Sequence, residues 1–181
     1  MVNTLRKRCR TRGRQGFTLV EVAISTVILL VGAGMLAQTV SALGKIARSN
    51  REAALALRAA GNTMESLRGV PLAEAFARFN DTPDDDPDED SPGASFVVNG
   101  LADEGSTATG VVTFPTVNGE LREDFVDVAL GMPRDLNGDG LTDPQDHAAD
   151  YTMLPVRVSV SWQGAMGPRT TTITGNLYEL E

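Results

Sequence analysis

The sequence predicts an α+β protein, with one long N-terminal helix, apolar in its first half and amphipathic in its second, packed on an antiparallel β-sheet. Three observations carry this expectation. From Val22 to Gly44 run 23 residues without a formal charge, and at ~1.5 Å per residue a helix of that length spans the ~30 Å core of a bilayer. From Ile46 to Leu67 apolar residues recur at helix-like spacing. Beyond Ala94 the period changes to two, most clearly in Val156–Trp162, where Val, Val, Val and Trp alternate with Arg and Ser.

Six cations precede Phe17 (Arg6, Lys7, Arg8, Arg10, Arg12, Arg14), and no acid does. By the positive-inside rule the N-terminus stays in the cytoplasm and the residues after Gly44 are exported. A secretory signal has an apolar region of only ~7–15 residues followed by a small-residue cleavage site. The run here is longer, and no clear Ala-x-Ala site closes it. Glu21 stands at its head. A carboxylate within a membrane costs at least ~2.5–3.5 kcal/mol, which marks it as a functional group. No cation lies between Phe17 and Gly44 to pair with it.

The stretch Arg14-Gln15-Gly16-Phe17-Thr18-Leu19-Val20-Glu21 resembles the cleavage and methylation site of type IV prepilins. The resemblance implies cleavage after Gly16 by a prepilin peptidase and N-methylation of the new amino-terminal Phe17. It also implies an assembly role for Glu21, whose carboxylate pairs in that family with the amine of a neighbouring subunit. Residues 17 and 21 lie one turn apart on a helix face. The expected organisation is a basic leader (1–16), a transmembrane and assembly helix (17–44) and a periplasmic or extracellular pilin-like head (45–181).

Within the head, Leu43, Ala47, Ala54, Leu57, Met64 and Leu67 form the stripe expected to meet the sheet. Gly69 and Pro71 end the helix, and Leu72–Phe79 has the composition of a short second helix. Residues 81–92 hold an acidic loop with seven acids in the ten residues Asp81–Asp90, expected to repel itself and stay extended and solvated. The expected strands are Ser95–Asn99, Gly110–Val117, Phe125–Leu130, Met153–Trp162 and Thr170–Tyr178. Asn118-Gly119 and the Gly-containing stretch Gln163–Pro168 supply turns. The last hairpin is weakly similar to minor pilins of the V type and minor pseudopilins of the I type.

A second chemical motif lies at 135–146. Asp135, Asn137 and Asp139 put oxygens on alternate residues, Gly140 permits a sharp turn, Leu141 offers a backbone carbonyl, and Asp143 and Asp146 follow. This fits the EF-hand loop pattern except that Asp146 stands where a bidentate Glu is usual. Hard oxygens in that number suit Ca²⁺. Asp143-Pro144 also reads as the start of a short helix. His147 follows the loop and is expected to be solvated.

The balance of residues excludes several classes. The leader holds six of the 16 cations and none of the 24 acids, so without it ten cations face 24 acids, a formal charge of −14. Such a surface opposes nonspecific nucleic-acid binding, which needs Lys and Arg. The one cysteine, Cys9, falls in the leader, so no disulfide staples the exported part. With one histidine and no phosphate-binding or dinucleotide fingerprint, no catalytic constellation is visible. The expected protein is a structural minor subunit of a type IV pilus or pseudopilus in the inner membrane. Its partners are prepilin peptidase, other pilin subunits and inner-membrane lipid. The alternatives are a type II secretion minor pseudopilin and a membrane-tethered, calcium-dependent adhesion module that does not polymerise.

Overall fold

The computed structural model describes residues 16–101 and 108–179. The leader, with Cys9 and its six cations, lies outside the described residues except for Gly16. The chain divides into two compact units, residues 1–44 and 45–181. Helix α1 (Leu19–Arg68) contributes to both.

In the first unit every residue from Gly16 to Gly44 is exposed. This is the one helix among the described residues long and apolar enough to cross a membrane. Its few hydroxyls suit that role. Ser25 donates to the Glu21 carbonyl at 2.7 Å, Thr26 to Val22 at 2.8 Å, Thr39 to Met35 at 3.0 Å and Ser41 to Ala37 at 3.0 Å. Each of these four hydroxyls is satisfied within the helix, as a bilayer demands.

In the second unit, α2 (Leu72–Phe79) follows α1 with the expected bounds. The main sheet holds β1 (Ser95–Val97), β2 (Thr109–Thr113), β5 (Met153–Gly164) and β6 (Gly167–Tyr178), antiparallel in the order β1-β2-β5-β6. A small ladder pairs β3 (Thr116–Val117) with β4 (Glu120–Leu121). The alternation in β5 is as the sequence predicts: Val156, Val158, Val160 and Trp162 are buried, while Arg157, Ser159 and Ser161 are not. These side chains, with Leu154 and Leu177, form one core with Ala56, Ala60, Met64 and Leu67 of α1 and Phe76 and Phe79 of α2. Phe76 and Phe114 meet edge to face at 5.4 Å between ring centres.

Four details differ from the sequence expectation. The buried face of α1 is Ser49, Glu52, Ala56, Ala60, Met64 and Leu67; of the expected stripe only Met64 and Leu67 are buried, and Leu57 is 53% exposed. Ala56 and Ala60 share that face with a polar pair, Ser49 and Glu52. The Gly110–Val117 strand breaks in two, because Pro115 has no N–H to give a ladder and Thr116 instead begins β3. Phe125–Leu130 is a turn, not a strand. The Asp127 carboxylate accepts from Ala129 N at 2.9 Å and Leu130 N at 3.3 Å, bending its own backbone. The acidic loop is tied down at two points: Asp85 accepts from Asn80 at 2.7 Å, Arg78 pairs with Asp88 at 2.8 Å, and a 3₁₀ turn forms at Pro83–Asp85.

The expected turns are present. Asn118 (φ 54°) and Gly119 (φ 91°) both take positive φ, as a two-residue hairpin turn requires. At the other hairpin Gly164 pairs with Gly167 across Ala165-Met166.

Candidate functional site

The Gly16–Phe17 junction, the expected processing point, lies just ahead of α1. Gly16, Phe17 and Thr18 precede the helix. The Thr18 carbonyl accepts from Val22 N at 3.1 Å, and its hydroxyl accepts from Glu21 N at 3.3 Å. Thr18 is therefore the N-cap and Glu21 the third helical residue, the Thr-x-x-Glu spacing of a capping box. The carboxylate of Glu21 sits in the first turn of a long helix, where the aligned peptide dipoles favour negative charge. Sequence reading found Glu21 by its charge and missed the Thr18 cap, although the three-residue spacing was its signal.

The 135–146 segment is an irregular loop folded by its own side chains. Asp135 accepts from Gly138 N at 2.6 Å and Gly140 N at 2.8 Å. Asn137 accepts from Asp139 N at 3.0 Å, and Asp139 accepts from Leu141 N at 2.7 Å. Gly138 and Gly140, both at φ 85°, take the positive φ these turns need. Hydrogen bonding of Asp135 to those two amides holds its carboxyl below the usual range, against some desolvation. Asp143 accepts from Gln145 N at 2.8 Å, so Asp143-Pro144 starts a turn and not the helix expected there. Asp146 accepts from Leu121 N at 3.0 Å and Ala148 N at 3.1 Å.

The loop wraps a group the sequence did not reveal. Glu123, 1% exposed, comes from the segment after β4. Its Oε1 accepts from Leu136 N at 2.6 Å and Asn137 N at 3.3 Å, and its Oε2 from Asp143 N at 3.2 Å. Beside it stands His147, which is 4% exposed and not solvated as expected. Its Nε2 lies 3.2 Å from Asp143 Oδ1 and 3.7 Å from Glu123 Oε2, and its Nδ1 lies 3.1 Å from Asp150 Oδ1. Burial pushes the imidazole pKa down, but the bonds to Asp143 and Asp150 and the charge of Glu123 outweigh it and hold it above its ordinary value. Glu123, Asp143 and His147 each offer a ligand atom within 4.8 Å of the others, and so could hold a metal ion. Among the described residues this is the one such group of acidic, histidine or cysteine ligands. It shares only Asp143 with the set expected from sequence. Glu123 lacked a signal because its separation from the loop follows no motif.

Residues 11–37 match the family model described as Prokaryotic N-terminal methylation motif. The chain carries a prepilin-type signal. This is the signal of type IV pilins and pseudopilins, and it implies processing by a prepilin peptidase and assembly with other pilins. The match covers Gly16, Phe17, Thr18 and Glu21 and stops short of the head. No curated protein and no solved structure matches the chain significantly. The head therefore rests on its own geometry: a long helix packed on a four-stranded antiparallel sheet, an α+β pilin-like arrangement.

Proposed function

We propose that the chain is a minor structural subunit of a type IV pilus or related pseudopilus. It is cut after Gly16, N-methylated on Phe17 and anchored in the inner membrane, with the head on the non-cytoplasmic side. The observation that carries this reading is the prepilin-type signal, with its one carboxylate held just ahead of the charge-free run Val22–Gly44. Cleavage turns Phe17 into a cationic amine one turn from Glu21. Paired between neighbouring subunits at ~4 Å, such charges attract by ~4 kcal/mol at an effective dielectric of ~20. That exceeds the insertion cost of a lone carboxylate on the lenient scale and selects one register for a helix entering a filament. Glu21→Ala is expected to be processed normally yet to be missing from sheared filaments. Normal incorporation of that variant would refute the assembly role.

The head contains no cysteine to staple it, and Ca²⁺ in the 135–146 loop is the proposed substitute. Asp135, Asn137, Asp139, the Leu141 carbonyl, Asp143 and Asp146 would supply the oxygens. The amide bonds to these side chains leave coordination open, because a carboxylate oxygen that accepts one N–H keeps another lone pair; the support for calcium is the ligand pattern of the sequence. Binding only the folded state at 100 times the dissociation constant adds ~2.7 kcal/mol. Calcium should raise the melting temperature of the full chain in detergent, and Asp139→Ala should abolish the gain. An unchanged melting curve would remove calcium from the account.

A further inference from the structure

We propose that Glu123, Asp143 and His147 form a second kind of metal site in the head, for one borderline divalent ion of the zinc type. It shares Asp143 with the calcium-type loop and differs from it in offering an imidazole nitrogen and the buried Glu123. The Asp150 carboxylate faces Nδ1 of His147, with its Oδ1 at 3.1 Å. In the metal-bound form proposed here the Nδ1 hydrogen goes to Asp150, and the Nε2 lone pair is left for the ion. That lone pair faces Asp143 Oδ1 at 3.2 Å and Glu123 Oε2 at 3.7 Å.

Three electron-pair donors thus converge on one spot inside the head, and only a cation there makes the arrangement favourable. A proton on Nε2 is the simplest cation; it leaves one positive charge against three carboxylates, two of them on the same side of the ring. A divalent ion balances the set better. The spacing suits it as well. Metal–ligand bonds of ~2.0–2.2 Å at tetrahedral angles place neighbouring ligand atoms ~3.3–3.6 Å apart, close to the separations found. An imidazole nitrogen among the ligands selects zinc-like ions over calcium, which prefers oxygen alone. Asp150 would then be the outer carboxylate that orients a metal-bound histidine. Such an ion would clamp the loop to the chain after β4, across the very contact that Glu123 makes with Leu136, Asn137 and Asp143.

The test uses the full chain in detergent, stripped with chelator and titrated with Zn²⁺ by calorimetry and with Co²⁺ by visible absorption. One equivalent should bind, with a cobalt spectrum of a low-coordinate nitrogen–oxygen site. His147→Gln should abolish that spectrum. Asp150→Asn, which keeps all three ligands, should weaken binding by about ten- to a hundredfold. Asp139→Ala, in the calcium-type loop, should leave both signals unchanged. If the folded wild type gives neither heat nor a cobalt spectrum, a proton holds Nε2 and the proposal fails. If Asp150→Asn binds like wild type, or a folded His147→Gln does, the ions sit on exposed acids and it fails equally. Should His147→Gln not fold, the Asp150→Asn result decides alone. Failure here leaves the pilus reading intact, since processing and filament entry are measured separately.

Discussion

Glu52 should be worth about 2 kcal/mol to the head, through hydrogen bonds and not through its charge. It is 7% exposed on the buried face of α1. Its Oε2 accepts from Trp162 Nε1 at 3.4 Å and from Ala165 N, at the tip of the β5–β6 hairpin, at 3.2 Å. Its Oε1 accepts from Arg48 at 3.0 Å, but that side chain is 55% exposed, and an exposed pair contributes only ~0–1 kcal/mol. Glu52→Ala orphans two donors at ~1–3 kcal/mol each, with the long indole bond at the low end. Relief from burying a carboxylate offsets part of this, which leaves a net loss of about 2 kcal/mol. At roughly 2–4 °C per kcal/mol for a chain of this size, the melting temperature falls by about 4–8 °C. Glu52→Gln keeps an acceptor oxygen and should cost under ~1 kcal/mol. Urea unfolding of the full chain in detergent measures both. Trp162, the one tryptophan, reports on the head, and circular dichroism guards against a purely local spectral change. The reasoning is refuted if Glu52→Ala costs less than about 0.5 kcal/mol, or if Glu52→Gln costs as much as Glu52→Ala.

Three further outcomes follow from the packing and the charges. A Cβ on Gly110 would lie 2.1–2.5 Å from ring atoms of Phe96, its cross-strand partner. Gly110→Ala should therefore cost about 1–3 kcal/mol, and most of that cost should vanish in a Phe96→Ala background. Leu154, fully buried in the core, should lose about 2–5 kcal/mol as Leu154→Ala in the same urea assay. Asp127 has its pKa lowered, first by the hydrogen bond from Arg157 at 2.7 Å and then by the Ala129 amide, against some desolvation. A depressed folded pKa gives stability that is present above the unfolded value of ~3.9 and lost as the pH falls through the folded one. The urea midpoints of wild type and Asp127→Asn should thus converge as the pH drops below about 4; a gap that stays constant would contradict the assignment.

The N-terminal half was legible because the membrane problem constrains it so tightly. A charge-free run, a basic leader and a single acid leave few structures, and the long helix appears with Glu21 in its first turn. The β5–β6 hairpin was legible for a similar reason, since strict alternation in Val156–Trp162 permits one buried face. The packing register of α1 was not. Ala56 and Ala60 carry weaker hydropathy than Leu57, yet they are fully buried in the core and Leu57 is not. Phe125–Leu130 read as a strand because Phe125, Val126 and Val128 have strand propensity, while the Asp127 carboxylate decides the turn. The buried Glu123–His147 pair joins distant segments, so neither residue announced the other. A motif displays ligands near in sequence, and this cluster is assembled by the fold.

The central claim is that the chain enters the pilin pathway, and the mass of the membrane-extracted protein tests it most directly. The measurement is made with and without the prepilin peptidase. The expected result is loss of Met1–Gly16 together with one added methyl on Phe17 when the peptidase is present, and an uncut chain when it is absent. An uncut chain in both, or a cut beyond Gly44, would make residues 17–44 an ordinary anchor or signal and contradict the account.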